Sequence, residues 1–219
     1  HTNYLPAITG RVVGSAEISD RFLWDLRRTQ ADLVADNYYG HFDKLCKTHG
    51  FYSINEPYEN GPFEELQISS RVDYSIGEFW SGLSTWFQHN YAHRRTTKLC
   101  ASVAHVYGKK IVGAEAFTAE APSGKWQEYP FALKALGDKY FTEGLTRIIF
   151  HRYAMQPNPD PSVAPGMTMA YWGIHFERTN TWWGQGRKWL DYLARCQYML
   201  QQGLFVADLV YFTGEGAPK

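Results

Sequence analysis

The chain has 219 residues, which is enough for one domain with its own hydrophobic core, and one domain spanning residues 1–219 is the expectation. Its 22 basic and 22 acidic side chains cancel and the basic residues are not clustered, so the sequence lacks the electrostatic pattern of a nucleic-acid binder. No apolar run is long enough to cross a membrane. We therefore expect neither nucleic acid nor a membrane as a partner.

Aromatic residues make up 16% of the chain, and its eight tryptophans exceed what a core of this size needs. Some of them should lie on a binding surface. The three cysteines, Cys46, Cys100 and Cys196, each fall at an apolar position of a predicted helix. Their odd number and their spacing fit neither a disulfide framework nor a metal motif, so buried free thiols are expected.

A turn-rich stretch followed by one long helix is predicted for the amino-terminal part of the chain. Residues 1–17 are rich in turn formers, and a long helix follows at about 19–48, with Ser19 as its N-cap and Gly50 as its terminator. Apolar residues at helical spacing predict one apolar face on this helix; they are Leu23, Leu26, Leu33, Tyr38, Phe42 and Leu45.

Short apolar runs and helical patterns then alternate along the chain. Strands are predicted at about 51–56, 73–78, 110–118, 147–151 and 205–212, and helices at about 93–107, 130–144 and 187–202. Residues 154–183 contain too many prolines for a continuous helix, and loops of this length are usually functional. The alternation predicts an α/β fold with parallel strands joined by right-handed crossovers.

Five consecutive β/α units fit either the later part of a (β/α)8 TIM-type barrel or an open doubly wound sheet. No glycine-rich phosphate loop follows any predicted strand, which argues against a dinucleotide or nucleoside triphosphate site. Polar residues end several different strands, and this favours the barrel.

Glutamates end three of the predicted strands. Glu56, Glu78 and Glu115 each follow a short apolar run, and His151 ends a fourth. A strand buried on both faces has no favourable place for an ionised side chain, so these groups should lie at the carboxyl ends of the strands. The alternative for each glutamate is a solvated boundary residue or the partner of a helix cap.

Seven segments of the chain carry motifs of one known family: residues 77–80 (GEFW), 111–118 (IVGAEAFT), 150–154 (FHRYA), 165–169 (PGMTM), 172–183 (WGIHFERTNTWW), 193–198 (LARCQY) and 206–208 (VAD). Through these segments the chain resembles, over nearly its whole length, the α-L-rhamnosidases of glycoside hydrolase family 106.

The resemblance implies a (β/α)8 catalytic barrel, inverting hydrolysis of terminal α-L-rhamnose from plant or microbial glycans, and a calcium ion near the sugar. It also implies a longer, periplasmic or secreted protein with earlier barrel strands and accessory β-domains, of which this chain is the C-terminal portion of the barrel. One catalytic glutamate of the family then lies upstream of His1. On this interpretation the isolated chain is expected to be inactive.

Inverting glycosidases use one carboxylic acid to protonate the leaving oxygen and one carboxylate to activate water. We assign Glu78 as the activating base and Glu115 as its catalytic neighbour, either a metal or sugar ligand or the alternate base. Glu56 is a candidate for binding sugar hydroxyls or calcium, since calcium takes several carboxylate oxygens. The other substrate-binding candidates are Trp80, His151, Trp172, His175, Glu177 and Trp182. A structural histidine is the alternative for His151, and fixing the loop is the alternative for His175 and Glu177.

Two other classes remain open. A non-catalytic carbohydrate-binding fragment would use the same aromatics and hydroxyl acceptors, although such modules are usually β-sandwiches. Another metal-dependent barrel enzyme, such as a lyase or isomerase, would need a tighter cluster of histidines and carboxylates than the sequence shows.

Overall fold

The computed structural model describes residues 1–58, 61–82, 95–120, 124, 126–164, 166–168, 172–212 and 214. The chain divides into two compact units. The first comprises residues 1–53, 59–73 and 207–219, and the second comprises residues 54–58 and 74–206.

Helices make up the regular structure of the first unit. A 3-10 helix at Thr2–Thr9 precedes α1 (Ala16–Val34), a π-helical segment (Ala35–Gly40), α2 (His41–Thr48) and α3 (Glu65–Ser70). The single helix predicted over 19–48 is therefore interrupted by the π-helical segment. It also begins earlier than predicted, because the N-cap is Ser15, whose hydroxyl accepts from Ile18 N. Ser19 instead accepts from Val13 N.

The apolar face predicted for this helix is not its buried face. Leu33 and Phe42 are more than half exposed, whereas Ala31 and Ala35 are fully buried. Hydrogen bonds between α1 and α3 explain this orientation, since Gln67 Nε2 donates to Asp32 Oδ1 at 2.7 Å. Polar side chains and small alanines, rather than the leucine stripe, therefore face the neighbouring helix.

The second unit is built on a four-stranded sheet of β1 (Ile54–Asn55), β2 (Tyr74–Trp80), β3 (Gly113–Thr118) and β4 (Arg147–Phe150). The strands lie in the order β1-β2-β3-β4, and each neighbouring pair is parallel. Its helices are α4 (Thr96–Val106), α5 (Pro130–Thr142) and α6 (Arg187–Leu200), with a 3-10 turn at Pro161–Val163. Four predicted strands are confirmed as parallel and consecutive. Among the described residues the sheet is open, with β1 and β4 at its edges.

Aromatic side chains fill the core of this unit. Phe79 from β2 stacks on Tyr140 of α5, with ring centroids 4.1 Å apart, and meets Phe117 of β3 edge-on at 4.9 Å. Phe176 and Trp189 complete the cluster and are also buried. Because successive strand residues point to opposite faces, a core position at Phe79 places Glu78 and Trp80 on the other face of β2.

The prediction of a fifth strand at 205–212 is wrong. These residues have no regular structure, and Val206 and Phe212 are almost fully exposed. The outer edge of β4, where such a strand would pair, is already occupied. Ile148 N donates to the side chain of Gln197 at 2.8 Å, and Ile174 N donates to His151 O at 3.0 Å. The side chain of Gln197 thus takes a hydrogen-bonding position that the strand would need, and residues 174–176 bond to His151 and Arg152 directly beyond the end of β4.

The cysteine expectation holds in that Cys46, Cys100 and Cys196 are free and lie in helices, although only Cys100 is fully buried. None of the described helices is both long and apolar enough to span a bilayer.

Gly77 allows α4 to lie directly against β2, and this contact generates a stability prediction. A Cβ at Gly77 would lie 2.4 Å from Thr97 N, a backbone atom that a side-chain rotation cannot move away. We expect Gly77→Ala to lower the free energy of unfolding by about 2–3 kcal/mol. Urea denaturation followed by tryptophan fluorescence measures this change.

The matched control is Gly184→Ala, because no heavy atom lies within 4 Å of a Cβ built there. Equal denaturation midpoints for the two variants would contradict the close approach of α4 to β2.

Candidate active site

Two glutamates lie side by side at the carboxyl end of the sheet. The parallel register pairs Glu78 of β2 with Glu115 of β3, and neighbouring strands are about 4.8 Å apart. Thr96 of α4 holds the backbone of Glu78, since its hydroxyl accepts from Glu78 N at 2.8 Å and donates to Glu78 O at 3.0 Å. We call Glu78 and Glu115 the glutamate pair.

A β-bulge in β3 shapes the surroundings of the pair. Phe79 pairs with Ala116 but Trp80 pairs with Thr118, so Phe117 is the extra residue, and its φ of 61° is rare for a bulky side chain. The bulge lets Phe117 enter the core while the next residue returns to the face of Glu115. There the hydroxyl of Thr118 donates to Glu115 Oε1.

Tyr58 lies beside all three predicted glutamates. Burial raises the pKa of the Tyr58 hydroxyl, and the negative charges of Glu78, Glu56 and Glu115 raise it further. Glu56, which directly follows β1, is exposed. The structure therefore brings Glu56, Glu78 and Glu115 to the same end of the sheet, as the sequence predicts, and adds a neutral phenol among them.

His151 lies next to the glutamate pair, with its Nδ1 3.8 Å from Glu115 Oε1. That nitrogen is buried and has no hydrogen-bond partner among the described residues. A Cβ at Gly173 would lie 2.7 Å from it, so only glycine fits there. Burial lowers the pKa of His151; the charge of Glu115 opposes this shift, and that of Arg152 adds to it. The imidazole is therefore kept neutral at physiological pH.

The segment after β4 forms a buried cluster of Arg152, His175 and Glu177. Nη2 of Arg152 lies 3.3 Å from Nε2 of His175, and Glu177 Oε1 lies 3.9 Å from His175 Nδ1. Burial lowers the pKa of His175, and the neighbouring guanidinium lowers it further. Glu177 also accepts from Thr179 N at 2.8 Å. His175 and Glu177 are only 2% and 3% exposed, so they lie beneath the surface that would meet a sugar.

The tryptophans predicted to bind substrate fall into two groups. Trp80 and Trp172 meet edge-on, with ring centroids 5.4 Å apart, and Trp80 lies on the face of the glutamate pair. Trp182 instead packs against the aromatic core and donates its indole N–H to Glu128 O at 2.8 Å. Its placement supports a structural role, and its role in binding sugar stays a prediction.

Three residues of this region were missed by the sequence reasoning, namely Tyr58, Trp126 and Glu128. Glu128 lies beside the hydroxyl of Ser81, which directly follows β2, and burial raises the pKa of its carboxyl. Such a group holds its proton at higher pH than an exposed glutamate. Each of the three lies in a loop at the carboxyl end of β1 or β3. This position is the only feature of the sequence that marks them as candidates for the site.

Calcium is implied by the family resemblance, with Glu56 and Glu115 as predicted ligands. Carboxylate oxygens suit this ion, but calcium takes six to eight oxygen ligands. Within the described ranges no three His, Cys, Asp or Glu side chains lie close enough together to hold a metal. Calcium also takes carbonyl and water oxygens, so its binding by Glu56 and Glu115 stays a prediction.

Comparison with known proteins places the chain in a family. The family model described as alpha-L-rhamnosidase, Glyco_hydro_106, matches residues 1–219. The chain belongs to this family of glycosidases. It resembles the rhamnosidase structure from Novosphingobium sp. PP1Y with a TM-score of 0.86 and 35% identity, over 98% of this chain and 20% of that one.

A second relative carries a different name. The chain is 48% identical over 217 residues to a Formosa agariphila protein named "Putative beta-glucuronidase", covering 99% of this chain and 18% of that protein. The chain thus spans about a fifth of the length of each relative.

The lowered pKa of His151 generates a prediction of pH-dependent stability. A histidine whose folded pKa lies below its usual value of 6.5 binds fewer protons when folded, so its stabilising effect is complete above pH 6.5 and is lost as the pH falls below it. We expect His151→Gln to weaken the decline in unfolding free energy between about pH 7.5 and 5.5, measured by urea denaturation.

His105 and His175 also have lowered pKa values, so part of the decline should remain in this variant. His41→Gln, at an exposed position of α2, is the matched control. A decline in the His151 variant as steep as in the wild type would contradict the interpretation.

Proposed function

We propose that this chain supplies part of the catalytic centre of an enzyme that hydrolyses terminal α-L-rhamnose from plant or microbial glycans with inversion. The chain would be the C-terminal portion of a (β/α)8 barrel, in keeping with its four consecutive parallel strands and its family. The observation that carries the proposal is the direct pairing of Glu78 with Glu115 at the carboxyl end of the sheet.

Glu78 is the proposed general base. Its backbone is fixed from both sides by Thr96, and the residue is only 9% exposed, so the carboxylate is largely out of bulk water. In the proposed step Glu78 takes a proton from water while the water oxygen attacks the anomeric carbon. The glycosidic C–O bond breaks, and a carboxylic acid protonates the departing oxygen.

Glu115 and its neighbours are proposed to bind and orient the sugar. The carboxylate of Glu115 accepts from Thr118 and faces the neutral imidazole of His151, which leaves oxygen lone pairs for sugar hydroxyls or a cation. Trp80, which is 9% exposed, and Trp172 meet edge-on beside the pair, and aromatic rings at such a site suit the C–H surface of a deoxysugar.

Hydrolysis of a β-glucuronide is the second candidate, favoured by the name of the Formosa agariphila relative. A uronic acid carries a carboxylate and needs a cationic partner, and Arg152 lies buried next to His151. Aryl α-L-rhamnoside and aryl β-D-glucuronide assayed side by side decide between the two.

Replacing the base gives the sharpest test of the proposed function. Glu78→Gln keeps the shape of the side chain and removes its basicity, so we expect kcat on an aryl α-L-rhamnoside to fall by about a hundredfold or more. The full-length enzyme is assayed, and its urea denaturation midpoint should barely change. Proton NMR of the first sugar released should show the β-anomer if the reaction inverts.

Glu17→Gln is the matched control, because Glu17 is a highly exposed glutamate in the first turn of α1. Near wild-type turnover by the Glu78 variant would refute its assignment as base. An α-anomer as the first product would refute inversion while leaving the substrate assignment intact.

Calcium binding is proposed separately, with Glu56 and Glu115 as carboxylate ligands. An ion that binds only the folded state raises the melting temperature with its concentration, so we expect calcium to raise the Tm of the full-length enzyme. Glu115→Gln should reduce this shift. An unchanged Tm, together with no heat of binding in titration calorimetry, would contradict the proposal.

A further inference from the structure

Trp126 presents an aromatic ring to solvent at the carboxyl end of the sheet. It lies in the connection between β3 and α5 and is 38% exposed. Its φ of 63° is in the left-handed region, which is unfavourable for a bulky residue and persists only where the surroundings impose it. The contacts of the indole show what imposes it here.

One face of the Trp126 ring is covered by His175. The two rings are nearly parallel, at an interplanar angle of 5° with centroids 3.8 Å apart. The indole N–H donates to Thr179 Oγ1 at 2.9 Å, and Thr179 N in turn donates to Glu177. The ring is therefore fixed in both tilt and rotation.

The support beneath the ring is itself rigid. His175 lies against Nη2 of the buried Arg152, and its carbonyl oxygen accepts from Asn180 Nδ2 at 3.0 Å. A ring stacked on such a base keeps its second face in one orientation before any ligand arrives. Pre-organised aromatic surfaces bind at low entropic cost, because little side-chain freedom remains to be lost.

The chemistry of such a surface suits a sugar ring. The axial C–H groups of a pyranose form an apolar face that packs on an indole, while its hydroxyl groups point outward to water or to polar side chains. A fixed, half-exposed tryptophan backed by a buried stack is thus a platform for a pyranose.

The contacts around His151 define where Trp126 lies relative to the glutamate pair. Glu115 lies on β3, His151 follows β4, and His175 belongs to the segment hydrogen-bonded beside His151. Gly173 N, in the same segment, donates to Ala119 O directly after β3, and the imidazole of His151 lies against both Gly173 and Glu115. Trp126 therefore borders the glutamate pair across His151, where the sugar next to the one being cleaved would lie.

We propose that Trp126 is the binding platform for the leaving-group sugar, stacking on the C–H face of the pyranose to which the terminal rhamnose is attached. His175, Arg152 and Glu177 act as positioning residues beneath it. This inference rests on the proposed function, since it takes the glutamate pair as the site of bond cleavage.

The test compares two substrates in the full-length enzyme. One is a disaccharide of α-L-rhamnose linked to glucose, and the other is α-L-rhamnosyl fluoride, whose leaving group has no ring to stack. We expect Trp126→Ala to lower the ratio of kcat/KM for the disaccharide to that for the fluoride by roughly five- to tenfold, the loss of about one aromatic contact. Trp126→Phe should recover part of the ratio.

Trp24→Ala is the matched control, because Trp24 is 39% exposed in α1 of the first unit. An unchanged ratio in the Trp126 variant overturns the platform, whether both rates fall together or neither falls. If the wild type hydrolyses neither substrate, the proposed function fails instead. The platform is then judged by calorimetric titration with the disaccharide, and equal affinity of wild type and Trp126→Ala overturns it.

Discussion

The parallel register between β2 and β3 is the constraint on which the candidate site depends. Hydrogen bonding of these two strands sets Glu78 opposite Glu115, and a slip of one residue would send one of the two carboxylates into the aromatic core. The core holds this register from the other face, where Phe79 packs between Phe117 and Tyr140. Burial of these rings and the placement of the carboxylates are thus two consequences of the same pairing.

The bulge at Phe117 lets β3 place two successive side chains where regular alternation would not, one in the core and one in the site. The core requires an aromatic ring at this level, whereas the site requires a hydroxyl beside Glu115 only one residue later. Regular alternation cannot satisfy both, because Phe117 would then share the face of Glu115 and Thr118 would point into the core. A left-handed residue at a bulge resolves the conflict at a local conformational cost, as is common next to active sites.

A second layer of the site, formed by Arg152, His175 and Glu177, is buried. The sequence leaves His175 and Glu177 open between contact with sugar and fixing the loop; the structure buries both beneath Trp126, and their contact with sugar stays a prediction. Burial lowers the pKa of His175 and the neighbouring Arg152 guanidinium lowers it further, against the opposing charge of Glu177, so the imidazole is neutral. Membership of the α-L-rhamnosidase family and this two-layered site agree with a carbohydrate ligand.

The sequence by itself determined the α/β class, the four parallel strands and the arrival of Glu56, Glu78 and Glu115 at one end of the sheet. These follow from local patterns, because apolar run length and helical periodicity act within a few residues. Tertiary structure decided the rest. The stretch at 205–212 has the composition of a strand, yet the side chain of Gln197 accepts from the outer edge of β4, where such a strand would pair. Likewise Tyr58, Trp126 and Glu128 are surrounded by residues that are distant in the chain. A local sequence pattern does not predict burial by such residues.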